Sequence, residues 1–101
     1  MTETVFTYGT LCNPSVRRGL LGHEVLTTPA ELLGWEKSTV RIGSTKYPAI
    51  LPNPEKSVQG LVFQILPQEL KQLDEYETGA YHRRKVTLAD GCEAWVYVKV
   101  I

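Results

Sequence analysis

Helix signals occur at only two places in this chain, and strand signals fill most of the remainder. The first helix is announced by Asn13-Pro14, with asparagine as N-cap and proline at the first helical position, and it runs to about Leu21 before Gly22. The second lies within Leu66–Tyr81, where Pro67 opens the helix, Gln68 and Glu69 fill the first turn, and Thr78-Gly79 stop it. Several strands separate the two helices. That spacing argues against a doubly wound parallel sheet, in which helices alternate with strands, and it predicts an α+β fold. A small, mostly antiparallel β-barrel, closed or nearly closed and flanked by two short helices, would also dispose of exposed strand edges.

The strands read as follows. Thr4–Tyr8 places Phe6 and Tyr8 on one face and Val5 and Thr7 on the other. Val25–Trp35 is either two short strands or one bent strand, broken near Pro29. Ser38–Ile42 alternates, Gly43-Ser44 turns, and Tyr47–Leu51 carries Pro48, which suits an edge or bulged strand. Pro52-Asn53-Pro54 reads as a loop. Val58–Ile65 has Val58, Gly60 and Val62 on one face and Leu61, Phe63 and Ile65 on the other; Gly60 marks a bend or a close backbone approach. Arg83–Leu88 and Glu93–Ile101 close the chain, joined by an Asp90-Gly91 hairpin signal, with Trp95, Tyr97 and Lys99 opposite Val96, Val98 and Val100.

The chain has 101 residues, with 11 basic and 11 acidic side chains. That length suits a single domain, residues 1–101, and the zero net charge argues against nucleic-acid or membrane-surface binding driven by bulk charge. There is no apolar run long enough to span a bilayer, no signal-peptide pattern at the N-terminus, and no CxxC pair. Cys12 and Cys92 are expected to be free thiols in a cytoplasmic protein.

Two stretches carry chemistry. In the second helix Leu66, Leu70 and Leu73 form an apolar stripe on which Glu77 is the next position, whereas Glu75 lies roughly 200° around from Leu73. Either the helix ends before Glu77, which then faces solvent, or Glu77 faces the core or a cavity. In an apolar setting its pKa would rise toward the range useful for general acid/base work. The other stretch is Tyr8-Gly9-Thr10-Leu11, a strand-to-helix loop that can point several backbone N–H groups at one anion, without the lysine or glycines of a phosphate loop. Alone, it is also readable as a plain glycine turn.

Taken in order, FTYGTL, GWEKS, YPAIL, VQGLVFQI and LDEYETGAYHRRKV give a sequence that resembles the γ-glutamylcyclotransferase superfamily over nearly its whole length, and within it the γ-glutamylamine cyclotransferase and AIG2-like branch. The resemblance implies a small antiparallel barrel with flanking helices. It implies that a γ-glutamyl substrate is held by backbone groups of Tyr8, Gly9, Thr10 and Leu11, and that Glu77, the glutamate of LDxxE, is the catalytic acid/base. The reaction would cyclise the γ-glutamyl group to 5-oxoproline and release an amine or amino acid, with no metal or cofactor. Family members often carry glycine directly after that glutamate, where this chain has Thr78 before Gly79.

Other residues are assigned on weaker grounds. Pro48, Tyr81 and Arg83 are candidates for the pocket, although for Arg83 a surface ion pair is the favoured reading. Tyr8 and Tyr97 could pack in the core or line the pocket. Arg17 and Arg18 would lie on the solvated side of their helix or reach toward the pocket rim. His23 and His82 read as surface residues without partners. The expected partner is a small γ-glutamyl molecule, with no nucleic acid and no membrane, and no oligomeric state is indicated. A module that binds a γ-glutamyl or carboxylate ligand without turnover is the rival reading, and a plain interaction domain exposing Trp35 and Trp95 is a third.

Overall fold

The computed structural model describes residues 2–77 and 81–99. Strand β1 (Glu3–Thr7) leads through a short 3-10 turn (Thr10–Cys12) into helix α1 (Pro14–Leu21). Two long strands follow, β2 (Thr28–Ile42) and β3 (Thr45–Ile65), then helix α2 (Pro67–Glu77) and strands β4 (Tyr81–Thr87) and β5 (Glu93–Lys99). One mixed sheet has the order β2-β3-β1-β5-β4; every neighbouring pair is antiparallel except β1 and β5, which meet at Val5 and Trp95.

The sheet curls into a half-barrel with a core on each side. Phe6, Leu32, Ile50, Val58, Val96 and Val98 form the inner core. Their sequence neighbours Val5 and Tyr97, with Phe63 and Ile65, face the other way and pack under Leu11, Leu21, Leu70 and Leu73 from the helical side. Alternation along each strand thus supplies both cores at once. The two edge strands converge on the inner core, since Trp35 of β2 and Val86 of β4 both pack against it. The Ala89 N–H donates to the Glu31 carbonyl (2.9 Å), and the Arg84 guanidinium lies 5.4 Å from the Trp35 ring centre.

Local chemistry explains both helices. Asn13 Oδ1 accepts from the Ser15 N–H (2.8 Å), Pro14 follows, and Gly22 ends α1 in the left-handed region with its N–H bonded to the Arg18 carbonyl. In α2, Leu70 and Leu73 are buried, whereas Leu66, expected on the same stripe, precedes the helix and is 45% exposed. Its N–H is bound instead by the Glu69 carboxylate (2.9 Å), half of a capping box. The expected stop at Thr78-Gly79 lies outside the described residues, as does Val100.

Several expectations are corrected. The segment from Val25 to Trp35 is not broken near Pro29; β2 is continuous there, and its irregularity lies at Gly34, whose φ is 86°. The two strands expected on either side of Pro52-Asn53-Pro54 are one extended strand, β3. The pairing steps from Leu33↔Ser57 to Trp35↔Pro52, so residues 53–56 bulge opposite Gly34, with the Asn53 side chain accepting from the Glu55 N–H (3.0 Å). The β4–β5 connection is longer than a two-residue turn, because Thr87 pairs with Glu93 and Leu88 is buried within the loop. Arg17 is not solvated; it is 8% exposed, donates from Nη1 to the Leu11 carbonyl (2.8 Å), and lies 6.0 Å from the Phe63 ring centre. Arg18 is exposed and pairs with Glu24.

His23, expected to be unpartnered, meets Glu69 through Nε2 at 2.5 Å and so ties the exit of α1 to the entry of α2. The Glu69 hydrogen bond and the Glu24 carbonyl hold the His23 pKa above its ordinary value. Burial pushes Glu69 upward, but the Leu66 N–H and His23 outweigh it and leave this carboxyl below its usual range. A histidine raised in the folded state stabilises fully below its unfolded pKa of about 6.5 and loses that contribution as pH rises through the folded value. The melting temperature is therefore expected to fall as pH rises above about 6.5, and His23→Gln should flatten this dependence. Scanning calorimetry at pH 5.5 to 8.5 on both proteins checks it; parallel curves would remove the pair from the account.

Among the described residues no helix is long and apolar enough to cross a membrane, and no group of His, Cys, Asp or Glu is arranged to hold a metal ion. Cys12 and Cys92 are both free. Trp35 and Trp95 are both half-buried and do not form an exposed cluster: Trp95 is stacked by Arg83 and Lys85 (4.5 and 4.3 Å), Trp35 by Arg84.

Candidate active site

Where β1 ends, the chain turns away from the sheet and leaves a cavity of about 370 Å³ beside it. Its floor is Phe6, Thr7, Tyr8 and Leu11, all buried. Tyr47 and Pro48 of β3, Tyr76 and Glu77 of α2, and Tyr81 and Tyr97 of β4 and β5 form the walls. Gly9 and Thr10 complete the lining. The size suits a small molecule.

The YGTL loop is a 3-10 turn whose Cys12 and Asn13 amides bond back to Gly9 and Thr10. The amides that open such a turn have no partner within the turn itself. Arg17 anchors the loop from below through the Leu11 carbonyl. Gly9 is required by a close approach: a Cβ there would stand 2.9 Å from Pro48 Cγ. Pro48 in turn accepts from the Tyr81 hydroxyl through its carbonyl (2.8 Å), which joins β4 to β3 across the cavity.

Glu77 is the last residue of α2, half-buried, and turned into the cavity, while Glu75 is exposed. Burial raises its pKa from 4.5 to about 7. Burial also raises the phenols of Tyr8, Tyr81 and Tyr97, with the Glu77 charge adding to each shift, so all three stay neutral near pH 7. Glu77 is thus a lining side chain able to exchange a proton near neutral pH.

Tyr97 is a junction. Its hydroxyl donates to Asp74 Oδ1 (2.7 Å), fixing the last turn of α2, and its carbonyl accepts from the Tyr8 hydroxyl (2.7 Å), fixing the start of the loop. The core and pocket readings of Tyr8 and Tyr97 are both correct, since each is buried and each lines the cavity. Neither the Tyr97 junction nor the rim residues Tyr47 and Tyr76 were singled out as site residues from the sequence, where an isolated tyrosine in a strand or helix looks like packing.

Of the sequence candidates, Tyr8, Gly9, Thr10, Leu11, Pro48, Glu77 and Tyr81 meet in this cavity. Arg83 does not. It lies in a neighbouring shallow cleft, its Nε 2.8 Å from Asp74 Oδ1 and its guanidinium stacked on Trp95. Alternation along β4 points Tyr81 and Arg83 to the same face, but the Asp74 carboxylate holds the guanidinium outside the cavity. His82 is exposed beside the same cleft. Cys12 Sγ lies 3.5 Å from the Thr7 carbonyl and does not line the cavity.

Similarity agrees with this geometry. An Arabidopsis thaliana protein named AIG2-like protein D is 37% identical over 85 residues, covering 83% of this chain and 55% of that protein. The chain spans about half the length of the curated relatives it matches. A solution structure from Arabidopsis thaliana superposes with a TM-score of 0.86 at 26% identity, over 99% of this chain and 63% of that one. A solved structure named Gamma-glutamyl cyclotransferase shares the fold, with a TM-score of 0.81 at 19% identity, over 99% of this chain and 68% of that one. The family model described as "Gamma-glutamyl cyclotransferase, AIG2-like" matches residues 5–100, a span that contains both the amide-rich loop and Glu77, and this chain therefore belongs to that family.

Proposed function

We propose that this protein cyclises a γ-glutamyl group to 5-oxoproline and releases the attached amine. The observation that carries the reading is Glu77: a carboxyl with its pKa raised to about 7, lining the same cavity as Gly9, Thr10 and Leu11. In the reaction the substrate's α-amine attacks its own γ-carbonyl carbon. The new C–N bond closes a five-membered ring, and the amide C–N bond to the leaving group breaks. Glu77 takes the proton from the attacking nitrogen and delivers it to the departing one, which a group with a pKa near neutral does in both directions. The amides of Gly9, Thr10 and Leu11 hold the substrate carboxylate or the oxygen that becomes negative, a contribution of about 3 kcal/mol for one well-aimed donor. Folding the substrate into the ring-closing geometry lowers the entropic part of the barrier, and the aromatic walls are suited to impose it.

The test is direct. The protein is incubated with a panel of γ-glutamyl amides, dipeptides and glutathione, and 5-oxoproline is sought by mass spectrometry. Release above the uncatalysed rate from at least one member is the expected result. Absence of product across the panel, with a panel member still raising the melting temperature, would favour a binding module that lacks turnover.

A further inference from the structure

Among the described residues Arg17 is the only basic side chain that is buried. A guanidinium keeps its charge in a protein, and taking it out of water is costly unless an opposite charge accompanies it. The ion pairs among the described residues are Arg18–Glu24, His23–Glu69 and Arg83–Asp74, and none includes Arg17. Its side chain has the Leu11 carbonyl at 2.8 Å and the Phe63 ring centre at 6.0 Å. One neutral carbonyl and one ring offset only part of the lost hydration, so the fold holds a buried cation without a counter-ion.

The Leu11 carbonyl leads from that cation to the cavity. It belongs to the Leu11–Cys12 peptide group, whose N–H donates to the Gly9 carbonyl (2.9 Å). The Gly9–Thr10 peptide group follows. The guanidinium and these two peptide dipoles therefore stand in series, and a charge at the head of such a chain polarises every member in the same sense. Gly9, Thr10 and Leu11 all line the cavity, whereas no lysine, arginine or histidine is among its described lining residues. An anion entering the cavity thus finds its nearest positive charge behind the loop.

We propose that Arg17 is a positioning residue for the anionic end of the substrate: the α-carboxylate of the γ-glutamyl group is the counter-ion that the fold leaves out, and the YGTL loop carries the attraction between them. This deepens the cyclotransferase reading and rests on it. Arg18, the next residue of α1, cannot substitute, because it is exposed and already paired with Glu24. Glu77 is a separate matter. Burial is the cause of its raised pKa, so the charge at position 17 bears on the carboxylate and leaves the proton exchange alone.

Arg17→Lys and Arg17→Gln separate charge from contact, since each keeps an N–H for the Leu11 carbonyl and only the first keeps the cation. Arg17→Met is a second neutral variant, used if glutamine disturbs folding. Calorimetry measures the binding of 5-oxoproline and of 5-oxoprolinamide, in which a neutral amide replaces the carboxylate. The preference for 5-oxoproline is expected to be about 3- to 10-fold greater in Arg17→Lys than in the neutral variants, the difference between a charge-assisted and an ordinary hydrogen bond after relay through the loop. KM for a γ-glutamyl amide should differ between the variants by a similar factor, while the limb of the pH profile near 7 stays in place. Equal preferences in the lysine and neutral variants, or a displaced limb with KM unchanged, overturn the counter-ion role and leave the reaction standing. A preference that follows the charge, with no 5-oxoproline formed from any γ-glutamyl donor, retains the role and defeats the reaction. No binding and no product would remove both.

Discussion

Replacing Glu77 with glutamine is expected to lower 5-oxoproline release by about 10²- to 10⁴-fold, the usual contribution of a general acid/base, and to make the free protein more stable above pH 7. The two effects share one cause. Burial in the cavity raises the carboxyl pKa from 4.5 to about 7, so the folded protein binds a proton that the unfolded chain has released throughout that interval. Stability then falls as pH rises from 4.5 to 7, because the folded state must surrender a proton it holds more tightly. At about 1.4 kcal/mol per pH unit the cost of ionising Glu77 is roughly 3 kcal/mol, or about 2 kcal/mol after allowing for its partial exposure. Glutamine keeps the shape and never ionises. At pH 8 its melting temperature should exceed that of the wild type by ~10 °C, and at pH 4 the two should coincide. The wild-type pH profile of kcat/KM should also lose its limb near pH 7 in the variant's residual activity. Calorimetry at the two pH values decides the matter without any substrate: equal melting temperatures at pH 8 would mean that Glu77 is not desolvated, and the acid/base role would lose its physical basis.

Site and scaffold differed in how far the sequence disclosed them. The helices were readable because their determinants are local: Asn13, Pro14 and Gly22 act within one turn of the residues they cap. Strand faces were readable for the same reason, since Phe6 and Val5, or Val96 and Tyr97, divide between the two cores by alternation alone. Strand lengths were not. Proline signals a break, yet β2 is an edge strand, and among the described residues the outer half of β3 pairs with β2 alone, so Pro29, Pro48 and Pro52 need not interrupt a ladder on both sides. Tertiary partners were invisible: nothing near Arg17 foretells the Leu11 carbonyl, and 46 residues separate His23 from Glu69. Helix phase and backbone chemistry left both Glu77 and the YGTL loop readable in two ways, and it is the family resemblance that singles them out. Tyr47, Pro48 and Tyr97 come to the same cavity through the sheet register, and a register is a relation between distant segments that no single stretch contains.

Gly60→Ala is expected to destabilise the protein by at least about 3 kcal/mol, more than most core substitutions and a large share of the stability of a small domain. A Cβ at this position would lie 2.2 Å from the Thr7 carbonyl oxygen, 2.7 Å from Phe6 Cζ and 3.0 Å from Phe6 Cε1. A flexible side-chain end could yield to such a contact, but the Thr7 carbonyl belongs to the backbone of β1, held to β3 by the pairing of Thr7 with Leu61. Phe6 is itself buried, so its ring has nowhere to retreat. Relief therefore requires β1 to part from β3, in a core where even one added methylene is commonly worth 1–3 kcal/mol (about that range). Gly19 supplies the contrast. It sits within α1 with open space where its Cβ would go, so Gly19→Ala should be neutral or stabilise by up to about 1 kcal/mol through helix propensity. Urea denaturation of both variants measures the difference, and a loss below about 1 kcal/mol for Gly60→Ala would contradict the close approach of β1 and β3. The consequence reaches the cavity, because Thr7 immediately precedes Tyr8 and Gly9. Whatever displaces the end of β1 also displaces the loop that lines the cavity with Glu77, so any Gly60→Ala protein that still folds should lose turnover with its stability, whereas Gly19→Ala should keep both.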